Sequence, residues 1–225
     1  MTIESGIAAS QQQAKLRLSR FHDEKGNYAL KSPQDIVDCL YAFLTTLMRK
    51  AFGWRPSIPW IALPAWRYIK SKVPRESAVF EWGSGMSTVW YERHFREVNA
   101  VEDNPIWYGI VSRRLKSAKL HLLQDEAYVT KISDYPDGYF DLVVIDGNHR
   151  LSCFNRVGKR LKPDGILLID NSDKDRTTLG DHLLIDRALE AAGDAVDVKR
   201  FTGWTPGNFF PQETTLVQFK QTHRV

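Results

Sequence analysis

Short apolar runs alternate with helical segments over most of this chain, and this alternation restricts the fold more than any other feature of the sequence. The strand-like runs lie at 78–80, 98–101, 120–123, 142–145 and 166–169. The helical or loop segments between and after them lie at 86–95, 105–117, 126–136 and 151–161. Such alternation is typical of a mostly parallel sheet with helices on both faces. We therefore predict a doubly wound α/β domain with its ligands beyond the carboxyl ends of the strands.

The N-terminal part of the chain follows other signals. Residues 1 to about 30 are polar and predict a loosely ordered lead-in or a short helix. Ser32 and Pro33 are typical of a helix start, and the apolar residues that follow predict an amphipathic helix ending between 49 and 54. A second helix over 63–73 stops at Pro74. We predict an extension over 1–74 and the main domain over 75–225.

The C-terminal part predicts a helix over 181–192 and a final strand over 214–220. The segment 200–210 before that strand is rich in glycine and aromatic residues and predicts a loop, either at the substrate side or within an ordinary hairpin. Three tryptophans, Trp54, Trp60 and Trp66, either pack the extension against the core or cover a pocket.

Composition narrows the class of protein. A length of 225 residues with 43% hydrophobic content suits one well-packed domain. The net charge of +4 comes from interspersed charges, so we expect no nucleic-acid partner. Cys39 and Cys153 are far apart and predict neither a disulfide nor a thiolate metal site. Without a signal peptide or a long apolar run, we expect a soluble cytoplasmic protein with no stable membrane insertion.

The first strand runs into a glycine-spaced turn at 79–88, which is the main candidate for ligand binding. Gly83 and Gly85 allow a tight turn, and a helix can begin behind it with its amides facing a ligand. Glu81 lies beside the turn, and Thr88 stands where a dinucleotide site has its third glycine. A pyrophosphate would be repelled by Glu81, whereas a ligand with a cationic amino-acid end would be attracted.

Acidic residues stand where four of the strand runs end. They are Glu81, Glu102, Asp146 and Asp170. The carboxyl ends of these strands share one edge of the sheet, so we expect the four acids to lie close together. Glu102, which follows Gly85 by 17 residues, suits a ribose diol because a carboxylate accepts from two hydroxyls.

With these motifs, residues 75–220 resemble the class I S-adenosylmethionine-dependent methyltransferases. The resemblance implies a doubly wound, mostly parallel, seven-stranded Rossmann-like sheet and S-adenosylmethionine as cofactor. It places Glu81 at the amino end of the cofactor's methionine, Glu102 at the ribose and Asp125 near the adenine. The cofactor-binding residues that it implies are Glu81, Gly83, Ser84, Gly85, Ser87, Thr88, Glu102, Asp103, Asp125 and Asp146.

Methyl transfer also needs a group that removes the acceptor's proton, and Asp146 and His149, at the end of the fourth strand run, are the candidate catalytic residues. Asp146, Asp170 and Asn171 match the cation ligands of the metal-dependent enzymes similar to catechol O-methyltransferase, which indicates Mg²⁺ or another divalent cation. Those enzymes have a lysine where this chain has His149, so the base stays open. A second resemblance, to FkbM-like methyltransferases, carries the same Asp-Asn pair without a required metal, so metal use stays open too.

We therefore predict a methyltransferase that acts on an oxygen of a small molecule or a glycan unit. An NAD-dependent oxidoreductase and a non-catalytic cofactor-binding protein of the same fold are the alternatives, because Glu102 alone suits NAD as well. A homodimer is left open.

Overall fold

The computed structural model describes residues 19–174 and 180–220, which include seven strands in one sheet. The strands are β1 (Ala78–Trp82), β2 (Glu97–Glu102), β3 (Lys119–Leu122), β4 (Phe140–Ile145), β5 (Leu161–Ile169), β6 (Val196–Thr205) and β7 (Asn208–Phe219). The helices are α1 (Pro33–Phe52), α2 (Leu63–Lys72), α3 (Met86–His94), α4 (Pro105–Ser112), α5 (Asp125–Thr130), α6 (Arg150–Val157) and α7 (Asp181–Ala192). Short 3₁₀ turns follow α5, α6 and α7.

The strand order is β3-β2-β1-β4-β5-β7-β6. The strands β1 to β5 are parallel to one another, whereas β7 is antiparallel to both β5 and β6. The order reverses between β1 and β4, and the carboxyl edge at that point is where an open parallel sheet binds ligands. The predicted doubly wound, mostly parallel sheet is confirmed.

Large apolar clusters cover the two faces of the sheet. One includes Phe80, Trp82 and Tyr128, and the other includes Val79, Trp90 and Tyr91. Neighbouring residues of β1 point to opposite faces, and all five are buried, including Glu81. The central strands are therefore fixed in register, which fixes the positions of the residues at their ends.

Two strands differ from the sequence prediction. The segment 200–210, predicted as a loop, is the second half of β6, a tight turn at Pro206 and Gly207, and the start of β7. Glycine and aromatic residues, read as loop signals, pack here instead: Trp204 is fully buried and stacks on Phe209. The last strand consequently begins at Asn208 rather than near 214.

The predicted first helix is α1. Ser32 caps it by accepting a hydrogen bond from the backbone N–H of Asp35 at 3.3 Å, and Gly53 ends it in the left-handed region with φ of 66°. Both α1 and α2 lie against β6 and β7. The division into an extension over 1–74 and a domain over 75–225 stays a prediction, and residues 1–18 of the predicted lead-in lie outside the described residues. No helix in the described part of the chain is long and apolar enough to cross a bilayer.

Candidate functional site

The turn between β1 and α3 needs glycine at one position and leaves space at the other. Gly83 has φ of 87°, and a Cβ there would lie 2.7 Å from the backbone of Asp146. Gly85 is extended, and a Cβ there would meet Ser87 Oγ at 3.4 Å, which is an ordinary contact. The protein's own packing therefore requires Gly83 but not Gly85, and the space beside Gly85 belongs to a cavity.

Glu81 lies beneath this turn rather than in the open cavity. It is 0% exposed, and its carboxyl accepts hydrogen bonds from the hydroxyls of Ser87 and Thr88. Burial raises the pKa of Glu81 to about 8, against the opposing effect of these two hydrogen bonds. Thr88 Oγ1 also accepts from the backbone N–H of Gly85 at 2.9 Å, so Thr88 joins Glu81 to the turn. Ser87 lines the cavity and connects Glu81 to it.

Glu102 ends β2 and is held by three donors. Its Oε2 accepts from the backbone N–H and the hydroxyl of Ser84, at 2.9 and 2.8 Å, and its Oε1 accepts from the backbone N–H of Asn104 at 3.0 Å. Asn104 in turn caps α4 by accepting from the N–H groups of Ile106 and Trp107. The carboxylate of Glu102 is thus fixed in orientation beside the turn.

Two neighbouring cavities lie along this edge of the sheet. The larger, about 350 Å³, is lined by residues including Gly83, Glu102, Asp103 and Asn148. The smaller, about 100 Å³, is lined by Arg55, Trp60, Gly85, Met86, Ser87, Trp107 and Asp146. Trp107 and Asp146 border both, and we call the two cavities together the cleft. An Asn148 Nδ2 hydrogen bond to Asp103 Oδ2, at 2.7 Å, joins its two sides.

Asp146 and Asp170 follow the neighbouring strands β4 and β5, as predicted. Burial raises the pKa of both carboxyls. A neighbouring carboxyl raises each pKa further, that of Glu81 for Asp146 and that of Asp146 for Asp170. The guanidinium of Arg150 lies 3.7 Å from Asp146 Oδ1 and lowers both pKa values. Asp170 Oδ1 also accepts from Thr214 Oγ1 at 2.8 Å.

Asn171 lies beside these acids, but its polar atoms are engaged. Its amide nitrogen donates to Asp170 and, at 2.9 Å, to Gln212 Oε1, and its amide oxygen accepts from the ammonium of Lys174. Arg150 donates to the backbone carbonyl of Asp170. Two basic side chains thus lie among the three predicted cation ligands.

The remaining predicted residues divide into two groups. Ser84 and Asp103 line the larger cavity. His149, which is exposed in the left-handed region at the start of α6, and Asp125, which is exposed at the start of α5, line neither cavity. Their roles stay predictions.

Eight lining residues were not assigned to the site from the sequence: Arg55, Trp60, Met86, Asn104, Trp107, Gly147, Asn148 and Arg150. Trp60 is one of the three tryptophans for which covering a pocket was one interpretation, and Arg55 lies in the same segment, whereas Trp107 gave no signal in the sequence. Trp107 is anchored by its indole N–H, which donates to Ser84 O at 2.6 Å, and the Arg55 guanidinium lies 5.4 Å from the centroid of the Trp107 ring. Arg55 has no hydrogen bond or ion pair with another described residue.

Comparison with known proteins supports the fold. No family model and no curated protein sequence matches the chain. An O-methyltransferase from Bacillus cereus in complex with SAH is similar over 81% of this chain and 100% of its own, with 15% identity and a TM-score of 0.60. TomG, an O-methyltransferase from Streptomyces achromogenes in complex with SAM, covers 80% of this chain and 90% of its own, with 15% identity and a TM-score of 0.59.

A third solved structure extends the similarity to nearly the whole chain. Cofactor-bound Rv0187 from MTB covers 98% of this chain and 90% of its own, with 16% identity and a TM-score of 0.52. The predicted resemblance to the class I methyltransferases is confirmed for the fold: this chain has the fold that these O-methyltransferases share.

Proposed function

We propose that this chain is an S-adenosylmethionine-dependent O-methyltransferase that acts on a small molecule or a glycan unit. The observation that carries the proposal is the cleft at the carboxyl edge of β1, β2 and β4, with the fixed carboxylate of Glu102 at one end and Ser87 and Asp146 at the other. The fold and the bound SAH or SAM of two similar structures support it.

The cleft fits the two ends of this cofactor. Glu102 Oε1 accepts one internal hydrogen bond and keeps capacity for a ribose hydroxyl. Ser87 donates its proton to Glu81, so its oxygen can accept from the ammonium of the methionine part. Burial raises the pKa of Glu81, and a bound ammonium nearby would favour the ionised form of its carboxyl.

The same geometry argues against NAD. A pyrophosphate beside Gly85 and Ser87 would lie near the carboxylate of Asp146 and would be repelled by it. Titration calorimetry with S-adenosylhomocysteine and with NAD separates the two: we expect binding of the first and none of the second. Binding of NAD alone would contradict the proposal.

Gly85→Arg tests the assigned place of the cofactor. A side chain at this position enters the cavity without disturbing the turn, so we expect a folded protein that has lost S-adenosylhomocysteine binding. Circular dichroism and thermal melting check the fold, and calorimetry checks binding. Unchanged affinity in the folded variant would place the cofactor elsewhere.

Asp146 is the proposed base, with His149 as the second candidate. When bound, S-adenosylmethionine supplies an electrophilic methyl group, and the chain must hold the acceptor oxygen in line with it and take up its proton. Asp146 borders both cavities, whereas His149 borders neither. The faces of Trp60 and Trp107 supply apolar surface for the acceptor. A protein of this fold that binds cofactor without transferring methyl remains the alternative, and an acceptor screen with labelled cofactor tests it.

A divalent cation at Asp146, Asp170 and Asn171 stays a prediction. These oxygen-bearing side chains fit Mg²⁺ in kind, and a bound cation would lower the pKa of an acceptor hydroxyl. It would have to displace the Lys174 ammonium from Asn171 and share the site with Arg150. Calorimetry with MgCl₂, with Asp170→Asn as control, tests this prediction. The cytoplasmic location, the lack of a nucleic-acid partner and the homodimer are likewise proposals.

A further inference from the structure

The outward face of α1 is apolar along its whole length. Leu40 and Leu44 are each 57% exposed, and Phe52 at the end of the helix is 74% exposed. The exposed apolar side chains of the helix and of the residues after it are Ile36, Val37, Leu40, Tyr41, Phe43, Leu44, Leu47, Met48, Phe52 and Trp54. We call this set the α1 face. At its margin the ring of Phe43 packs edge-to-face on Phe209 of β7, and the side chains of the set stay exposed.

The helix is nevertheless anchored in this orientation, because its inward side makes specific polar contacts. The buried carboxylate of Asp38 pairs with both terminal nitrogens of Arg67 at 2.8 Å. The buried Thr45 accepts a hydrogen bond from the backbone N–H of Gly207 at 2.9 Å. Rotating α1 to hide the apolar side would break these contacts, so the apolar side stays outward.

The α1 face is large enough for a stable association. Taking about 200 Å² for a large side chain, ten side chains that are each about half exposed leave roughly 1,000 Å² of apolar surface in water. The largest patch on a typical monomer is about 300–600 Å². A standard interface buries about 800 Å² on each partner, so the α1 face has the size of one side of an interface.

The charges of the helix point to a second copy of this chain as the occupant. Asp35 lies in the first turn of α1 and the exposed Lys50 in the last turn, whereas Arg49 lies against the ring of Trp60. When two copies of the helix lie antiparallel, the acidic end of each meets the basic end of the other, and the helix dipoles oppose. Leucines 40 and 47 then face each other across a two-fold axis between Phe43 and Leu44.

We propose that this protein forms a homodimer through antiparallel pairing of the α1 face of one copy with that of another. The interface is isologous, so a two-fold axis closes it and leaves no free apolar face. The proposal rests on the exposed face and its charges and does not depend on methyltransferase activity.

The first test is the mass in solution. Sedimentation equilibrium of the full chain is expected to give twice 25.9 kDa, and Leu40→Glu with Leu44→Glu to weaken association at least about 100-fold, because two carboxylates per copy would be buried unpaired. The control is Ile106→Glu, which adds one carboxylate at a 77% exposed residue of α4 and should leave the dimer intact. Lys50→Glu serves as a second variant if the double one fails to fold. A monomeric wild type, or a dimer that both α1 variants leave intact, overturns the proposal.

The second test is the direction of the helices. In a Cys39→Ser background, Leu44→Cys lies next to its own counterpart across the axis, whereas Ile36→Cys lies about 22 Å from its counterpart along the helix. A short bifunctional maleimide should therefore join copies of the first variant and not of the second. Joining of Ile36→Cys but not of Leu44→Cys would overturn the antiparallel arrangement.

Two further experiments would reveal a different occupant of the α1 face, either a membrane surface or residues 1–18 of the same chain. Flotation of a monomer with vesicles of phosphatidylcholine and phosphatidylglycerol, abolished by Leu40→Glu with Leu44→Glu, would assign the face to a membrane surface and overturn the dimer. A full chain that is monomeric, but that dimerises when residues 1–18 are deleted, would assign the face to that segment.

Discussion

Arg55 is a cation with no anionic partner among the described residues, and it lies at the end of the cleft where the amino-acid part of the cofactor is proposed to bind. It lies beside Trp107, and the cavity it lines also includes Gly85 and Ser87. A guanidinium there suits a carboxylate. We predict that Arg55→Gln weakens S-adenosylhomocysteine binding about 10- to 100-fold, the range of a charge-assisted hydrogen bond.

The matched probe for Arg55 is 5′-methylthioadenosine, which has the nucleoside and sulfur but no amino-acid part. Calorimetry should show equal affinity of the wild type and Arg55→Gln for this compound. If both proteins bind S-adenosylhomocysteine with equal affinity, Arg55 does not bind the cofactor, and binding of the acceptor is the role left for it. If the wild type binds neither compound, the proposed function itself fails.

Asp146 is expected to titrate near neutral pH. Burial raises its pKa to about 6, and the positive charge of Arg150 opposes that rise. Removing the charge should therefore move the pKa further up, so Arg150→Met shifts the titration of Asp146 to higher pH. Carbon-13 NMR of labelled aspartate carboxyls measures this, and Asp146→Asn assigns the resonance. A shift to lower pH in Arg150→Met would contradict the expectation.

The titration of Asp146 determines the pH dependence that we expect for methyl transfer. A base must be deprotonated, so an enzyme that uses Asp146 loses rate as the pH falls through about 6, tenfold for each further unit. His149 is exposed and borders neither cavity, so His149→Gln is expected to leave the NMR titration of Asp146 in place.

Among the elements, the β6–β7 hairpin supports the cleft through its turn. Gly207 has φ of 74°, and a Cβ there would lie 2.7 Å from the ring of Trp60, which lines the smaller cavity. We predict that Gly207→Ala lowers the free energy of unfolding by about 2–4 kcal/mol, through left-handed strain and overpacking together.

Gly53 is the matched control for the hairpin. It has φ of 66° in the left-handed region and no atom within 4 Å of a Cβ, so Gly53→Ala carries the strain without the clash. Urea unfolding should show that this variant loses about 1 kcal/mol of the free energy of unfolding. The difference between this loss and that of Gly207→Ala measures the contact with Trp60. Equal losses in both variants would mean that Trp60 moves aside freely.

Sequence predicted the elements whose signals are local. Gly83 stands in a turn that needs a positive φ, and the acids after β2, β4 and β5 reach one edge because parallel strands end there. The strand β6 was missed because the glycine- and aromatic-rich segment that contains Gly203 and Trp204 was interpreted as a loop. These residues instead pack closely, and a Cβ at Gly203 would lie only 2.5 Å from Pro64. Periodicity predicted α1 but could not tell which side faces water.

The lining of the cleft was the harder part, because it comes from segments far apart in the chain. Arg55, Trp60 and Trp107 meet only after α2 and α4 have been placed against the sheet, and no spacing in the sequence records that contact. For Glu81 the sequence predicted the motif, but it did not predict that the side chain is completely buried beneath Ser87 and Thr88.

At the scale of the whole molecule, the last turn of α1 and the cleft adjoin each other. Arg49, in the last turn of α1, lies 5.7 Å from the centroid of the Trp60 ring, and Trp60 lines the smaller cavity. Pairing of α1 between copies therefore holds a helix end that contacts the acceptor side of the cleft. The homodimer thus concerns the site as well as the stability of the chain.

Stability should consequently depend on protein concentration. A dimer that dissociates on unfolding has a melting temperature that rises with concentration, since association stabilises only the folded state. We predict a rise of several degrees over a hundredfold increase in wild-type concentration, and no rise for Leu40→Glu with Leu44→Glu. Scanning calorimetry measures both, with Ile106→Glu as the control that should follow the wild type. A wild-type melting temperature that is independent of concentration would contradict the pairing of α1, because a dimer held by about 1,000 Å² of apolar surface on each copy must contribute to the stability of the folded state.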